Sequence, residues 1–127
     1  MQLHVMSDEH IWLEIDGQDG LDVHGDQFGP LQMLAASLAL CTASVMQDYA
    51  VTAQFHLHHF AIAVHWSYAE QPYRVGQMHM VLEVGPDVPP SRQKALLRAA
   101  EHCTVHNTLK HATPVETTLE VLGAEQA

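Results

Sequence analysis

Gln27-Phe28-Gly29-Pro30-Leu31-Gln32-Met33-Leu34-Ala35-Ala36-Ser37-Leu38-Ala39-Leu40-Cys41-Thr42-Ala43-Ser44-Val45-Met46-Gln47 carries no formal charge from end to end. Pro30 stands where the first helical turn tolerates a missing N–H. Leu31, Leu34, Leu38, Cys41 and Val45 then step by 3, 4, 3 and 4, which is one stripe of a helix that fades near Tyr49 to Thr52. A run this long and apolar meets the length criterion for a bilayer span. It is, however, flanked by Asp26 and Asp48 with no Lys or Arg nearby, and it contains Gln32, Ser37, Thr42 and Ser44. It therefore reads as a helix buried on most sides within a folded domain.

Outward from this helix, the chain alternates between strand and turn signals. The first 25 residues read as strands, with Ile11–Ile15 and Leu21–Gly25 β-prone and Asp16-Gly17 and Asp19-Gly20 as turns. Beyond the helix, Phe55 to Trp66 and Val75 to Val84 read as strands divided at Glu70-Gln71-Pro72. Pro89-Pro90-Ser91 opens a second helix that stops at Thr113-Pro114, and Leu96, Ala100 and Cys103 lie on its apolar stripe. Val115 to Leu122 reads as a last strand. The expected order is β-β-β-α-β-β-α-β over one domain, residues 1–127, in the α+β class, with an antiparallel sheet packed around the long helix.

Composition narrows the function classes. The 127 residues hold 47% hydrophobic and 16% charged residues, enough apolar material for a core. Five Lys and Arg against fifteen Asp and Glu give a formal charge of −10, which disfavours binding to nucleic acid or to an anionic membrane surface. Met1 to His10 has neither a basic start nor an apolar stretch, so no signal peptide is read and a reducing, cytoplasmic setting is expected. In that setting the two cysteines, Cys41 and Cys103, are free thiols, metal ligands or a redox pair.

Each cysteine lies on the apolar stripe of its own helix. From spacing alone the pair reads first as small core residues. If the two stripes pack together, the thiols meet at the bottom of an apolar cleft, an arrangement suited to peroxide chemistry. There one thiolate attacks the O–O bond to become a sulfenic acid, and the second thiol resolves it to a disulfide. Apolar walls favour an organic peroxide.

Two segments resemble the OsmC/Ohr family, named for osmotically inducible protein C and organic hydroperoxide resistance. Gly29 to Thr42 is similar to the family's P-x-x-L-L-x-A-A-x-x-x-C helix, and Ala99 to Leu109 to its A-x-x-x-C-P-V-x-x-x-L segment. The resemblance implies an intertwined homodimer with the cysteine helix at its centre. It also implies thiol-dependent reduction of organic hydroperoxides by a dithiol reductant in a stress response, with no cofactor. It assigns Cys41 the attacking role and Cys103 the resolving one.

The chain departs from the family pattern at two places. Family peroxidases hold the thiolate and the peroxide with an arginine in an early loop and a glutamate ten residues before the first cysteine. Here Gln18 stands in the early loop, Leu31 stands ten residues before Cys41, and no Arg or Lys precedes Arg74. Because burial raises a thiol's pKa, something else must favour the anion. Arg74, His102 and His106 are the candidate supports, and the two histidines flank Cys103 closely enough to reverse the usual roles. Two alternatives stand beside this reading. One is a catalytically degenerate member that binds a small apolar ligand in the dimer cleft. The other is a histidine-rich metal-binding protein using His56 and His58, with His59, His65 and His79 in reserve, although a solvent-facing polar row is the simpler reading of those histidines and no metal site is assigned.

Overall fold

The computed structural model describes residues 2–7, 10–15, 18–24, 28–58 and 60–123. Strands β1 (Gln2–Ser7), β2 (His10–Ile15) and β3 (Gln18–His24) form an antiparallel sheet in that order. Asp19 and Gly20, read from sequence as a turn, lie within β3, opposite β2, while Asp16 and Gly17 lie outside the described residues. Helix α1 (Pro30–Thr52) follows, with Pro30 as its first residue. Strands β4 (Phe60–Ala69) and β5 (Arg74–Val84) form an antiparallel hairpin. The register slips at Ser67/Tyr68 so that Gly76 has no partner, and a Cβ there would stand 2.6 Å from that of Ala69, so only glycine fits this bulge without a shift. A short 3₁₀ turn (Pro90–Arg92) leads into α2 (Gln93–Ala100), and α3 (Thr104–Lys110) ends the regular structure.

The core lies between the second half of α1, α2 and the hairpin. Met46, Ala50, Leu57, Val88, Leu96 and Ala100 form its buried cluster, with Tyr49, Phe55, Phe60, Ile62 and Leu82 packed against it. On α1 the buried positions are Ala35, Leu38, Thr42, Met46 and Ala50. This stripe is rotated from the expected one and shares only Leu38 with it. Small side chains let α1 approach α2, α3 and β4, and the larger Leu31 and Leu34 stand at its flank. In the single chain α1 is not buried on most sides: Leu40 is 71% and Val51 76% exposed. The 23-residue helix is long and apolar enough to cross a membrane by length and composition, and 28% of its apolar window is buried within the chain.

Three expectations are corrected. The second helix, read as continuous to Thr113, breaks at Glu101–Cys103 into α2 and α3, because Cys103 adopts extended backbone (φ −91, ψ 156) and caps α3. Strand β4 begins at Phe60, not Phe55, since Gln54 to Leu57 serve to turn the chain out of α1. Val115 to Leu122 forms no strand: among the described residues no strand pairs with it, and an unpaired edge has no ladder to hold it.

The exit from α1 is a Schellman motif. Phe55 N–H bonds the Ala50 carbonyl at 3.0 Å, Gln54 N–H bonds that of Val51 at 3.2 Å, and the Phe55 ring packs edge-on against Tyr49 at 6.0 Å. The motif needs a left-handed residue, and Gln54 takes it at φ 62. Glycine has no Cβ penalty there, so Gln54→Gly is expected to stabilise the fold by about 0.5–1 kcal/mol. The check is the urea unfolding midpoint, which should rise without a change in slope.

Candidate functional site

The break between α2 and α3 brings the two cysteines together. Cys103, 1% exposed, is the residue before α3, and its Sγ accepts the His106 N–H at 3.1 Å. Thr42, fully buried on α1, places its Oγ1 3.7 Å from the same sulfur and 3.6 Å from Met80 Sδ on β5. Cys41, the neighbour of Thr42, is partly buried and faces the start of α3. Its thiol is held below the usual range. The Val105 N–H is the largest cause, burial opposes it, and the Cys103 thiol and the Thr104 N–H add to the lowering.

Two of these contacts share the one Thr42 hydroxyl proton. A thioether sulfur only accepts, so a Thr42 hydroxyl donating to Met80 takes its own hydrogen bond from Cys103 S–H. The site thus carries a buried hydroxyl beside a thiol pair. The native fold favours the Cys41 thiolate, so it gains stability as pH rises from the lowered pKa toward the ordinary value of about 8.5, and loses it as pH falls through the lowered one.

Against one side of this pair lies a cavity of about 510 Å³. Leu31, Leu34 and Leu38 of α1, Met78 and Met80 of β5, and His106 of α3 contribute to its wall. Leu31, standing where the resemblance expects a glutamate, is therefore a wall residue. Neither cysteine lines the cavity; Met80 and His106 lie between, each touching the thiol site directly. The His106 Nδ1 is buried and has no hydrogen-bond partner among the described residues.

The family model for OsmC-like protein matches residues 23–118. The chain belongs to the OsmC-like family. Solved structures show the same fold: an OsmC-like protein from Mycoplasma pneumoniae superposes with a TM-score of 0.69 at 18% identity, over 86% of this chain and 84% of that one. A candidate osmotic-stress-induced and detoxification-response protein of Psychrobacter arcticus 273-4 gives 0.67 at 20% identity, over 84% and 85%. A hypothetical protein of Aquifex aeolicus VF5 gives 0.65 at 14%, over 86% and 84%. Among curated proteins none matches the sequence.

Within this OsmC-like frame the other residues singled out from sequence go elsewhere. Arg74 is exposed and donates to the carbonyls of Glu70 (3.0 Å) and Pro72 (2.9 Å) in its own turn, so it is not brought to the sulfurs in the single chain. His102 is exposed and donates from Nδ1 to the Arg98 carbonyl at 2.6 Å. Gln18 begins β3. His56 and His58 do share a face, but their rings stack at 5.1 Å. His65 and His79 pair across the hairpin and are exposed, and His59 lies outside the described residues. Among the described residues no group of three or more His, Cys, Asp or Glu could hold a metal ion.

Sequence reasoning missed Thr42, the Met80 sulfur and the two backbone donors. Thr42 carried a faint signal, a hydroxyl beside a helical cysteine, whereas a backbone N–H has no sequence signature except where proline removes it. Thr104 stands where the family segment has proline, so this chain keeps a donor there. Thr104→Pro is compatible with the first helical turn and with the extended backbone of Cys103. It is expected to leave the fold intact and to raise the midpoint pH at which Cys41 alkylates, measured with monobromobimane in a Cys103→Ser background.

Proposed function

We propose that this OsmC-like chain is a thiol-dependent hydroperoxide reductase acting on organic hydroperoxides. Cys41 attacks the terminal peroxide oxygen, the O–O bond breaks, and the alcohol leaves with a proton. Cys103 then attacks the sulfenic sulfur, water departs, and the disulfide is returned to two thiols by a dithiol reductant. The observation that carries this reading is the placement of the Cys103 thiol beside a Cys41 whose anion is favoured by backbone N–H groups. The adjoining cavity is large and apolar enough for an aryl or alkyl peroxide. The Psychrobacter relative's link to stress and detoxification responses is in keeping with it.

The cavity also supports a second reading, a catalytically degenerate binder of a small apolar ligand. Thiol stoichiometry separates the two. On addition of cumene hydroperoxide, both thiols are expected to disappear. Cys41→Ser should abolish the loss, and Cys103→Ser should stop at a sulfenic acid that dimedone traps. Equal thiol loss in Cys41→Ser would defeat the assigned roles, and an inert wild type would favour the binder.

The working unit in this proposal is a homodimer in a reducing cytoplasm. Val115, Leu119 and Leu122 are 86%, 89% and 91% exposed, and with Leu40 and Val51 on α1 they leave apolar surface that a second copy would cover. Sedimentation equilibrium should return twice the 14.1 kDa chain mass. A mass of one chain would exclude the dimer.

A further inference from the structure

His106 stands three residues after Cys103, on the first turn of α3. It is tied to the thiol site through its N–H on Cys103 Sγ at 3.1 Å, and the residue lines the cavity. The ring's Nδ1 is buried with no partner among the described residues. A buried polar atom left unpaired is destabilising, and a ligand that pairs with it relieves that cost. The wall beside it is mostly apolar, with Leu31, Leu34, Leu38, Met78 and Met80, and the other polar side chains on it are Gln77 and Lys110. A turn about Cβ–Cγ exchanges the two edges of an imidazole within its broad, roughly two-fold torsion, so Nδ1 can serve either side of the ring.

We propose that the His106 imidazole is the polar anchor of the cavity, holding the oxygen end of a bound peroxide or alcohol beside the thiol pair while the apolar walls take its hydrocarbon part. It stands in for the arginine and glutamate that Gln18 and Leu31 do not supply. The identity of the reacting ligand rests on the hydroperoxide reading; the polar contact itself does not. As neutral imidazole the ring offers one donor and one acceptor, and an R–O–O–H or R–OH end can pair with either.

The test uses the full chain and two kinds of readout. In turnover, His106→Leu is expected to raise the KM for cumene hydroperoxide about tenfold, the loss of one hydrogen bond. Oxidation of the thiol pair by diamide, measured in wild type and variant, supplies the anchor-independent rate against which that change is normalised. His106→Asn, which keeps a polar atom near the place of Nδ1, should recover most of the affinity. In binding, 2-phenylpropan-2-ol should move the ¹⁵N resonance of His106 Nδ1, and isopropylbenzene, which lacks the oxygen, should not. An unmoved Nδ1 at saturating alcohol, or an unchanged KM in His106→Leu, overturns the anchor. A wild type that consumes no peroxide yet shifts Nδ1 with the alcohol keeps the anchor and removes the hydroperoxide chemistry.

Discussion

The structure turns on one sulfur used as a helix cap. Cys103 takes the extended backbone of a capping residue and accepts the His106 N–H that α3 cannot satisfy internally. Serine or aspartate normally fills this position, and both would hold the turn more firmly. A cysteine does it weakly but keeps a thiol at a helix break, buried against Thr42 of α1. The break aims the N–H groups of Thr104 and Val105 at Cys41. One residue therefore starts α3 and contributes to the environment of the other cysteine.

That arrangement changes how a thiolate is favoured in a chain with a formal charge of −10 and little cationic side chain. A guanidinium acts through full charge and is costly to bury unless paired. Backbone N–H groups carry only partial charge, but they are fixed by α3, so their alignment toward sulfur needs no side chain to be ordered. Arg74, meanwhile, is committed to the carbonyls of its own turn.

The cysteine helix was legible because 3- and 4-residue steps of Leu and Cys over twenty uncharged residues have one reading, and the antiparallel α+β character followed from turn residues such as Gln71-Pro72. The register of burial on α1 was not legible. Hydrophobicity points at Leu31 and Leu34, whereas close packing selects Ala35, Thr42 and Ala50, and the leucines instead wall a cavity. The break at Glu101–Cys103 was hidden because Ala99-Ala100-Glu101-His102 contains no Gly or Pro; what Cys103 gains outside the helix, the His106 N–H and the contact with Thr42, is a matter of tertiary structure. Val115 to Leu122 alternates like a strand, but alternation specifies a face and not a partner. Of the candidate thiolate supports, His106 reaches the site through its backbone, a role no side-chain pattern announces.

Using a sulfur as the cap also couples chemistry to fold. In the dithiol state Cys103 Sγ accepts from His106 and stands 3.7 Å from the Thr42 hydroxyl. A disulfide with Cys41 would draw the sulfurs to about 2 Å and impose its own torsion, so that Sγ could not keep both contacts at their present geometry. The first turn of α3 would lose its cap as the bond formed, at a cost of about 0.5–2 kcal/mol. Compared with the Cys41 thiolate, the disulfide would also leave the Thr104 and Val105 N–H groups without an anion, since a sulfur in a disulfide carries no charge. Both effects favour the dithiol over the disulfide. A disulfide formed here would therefore be easier to reduce, because only the dithiol keeps the Cys103 cap and its contact with Thr42 together.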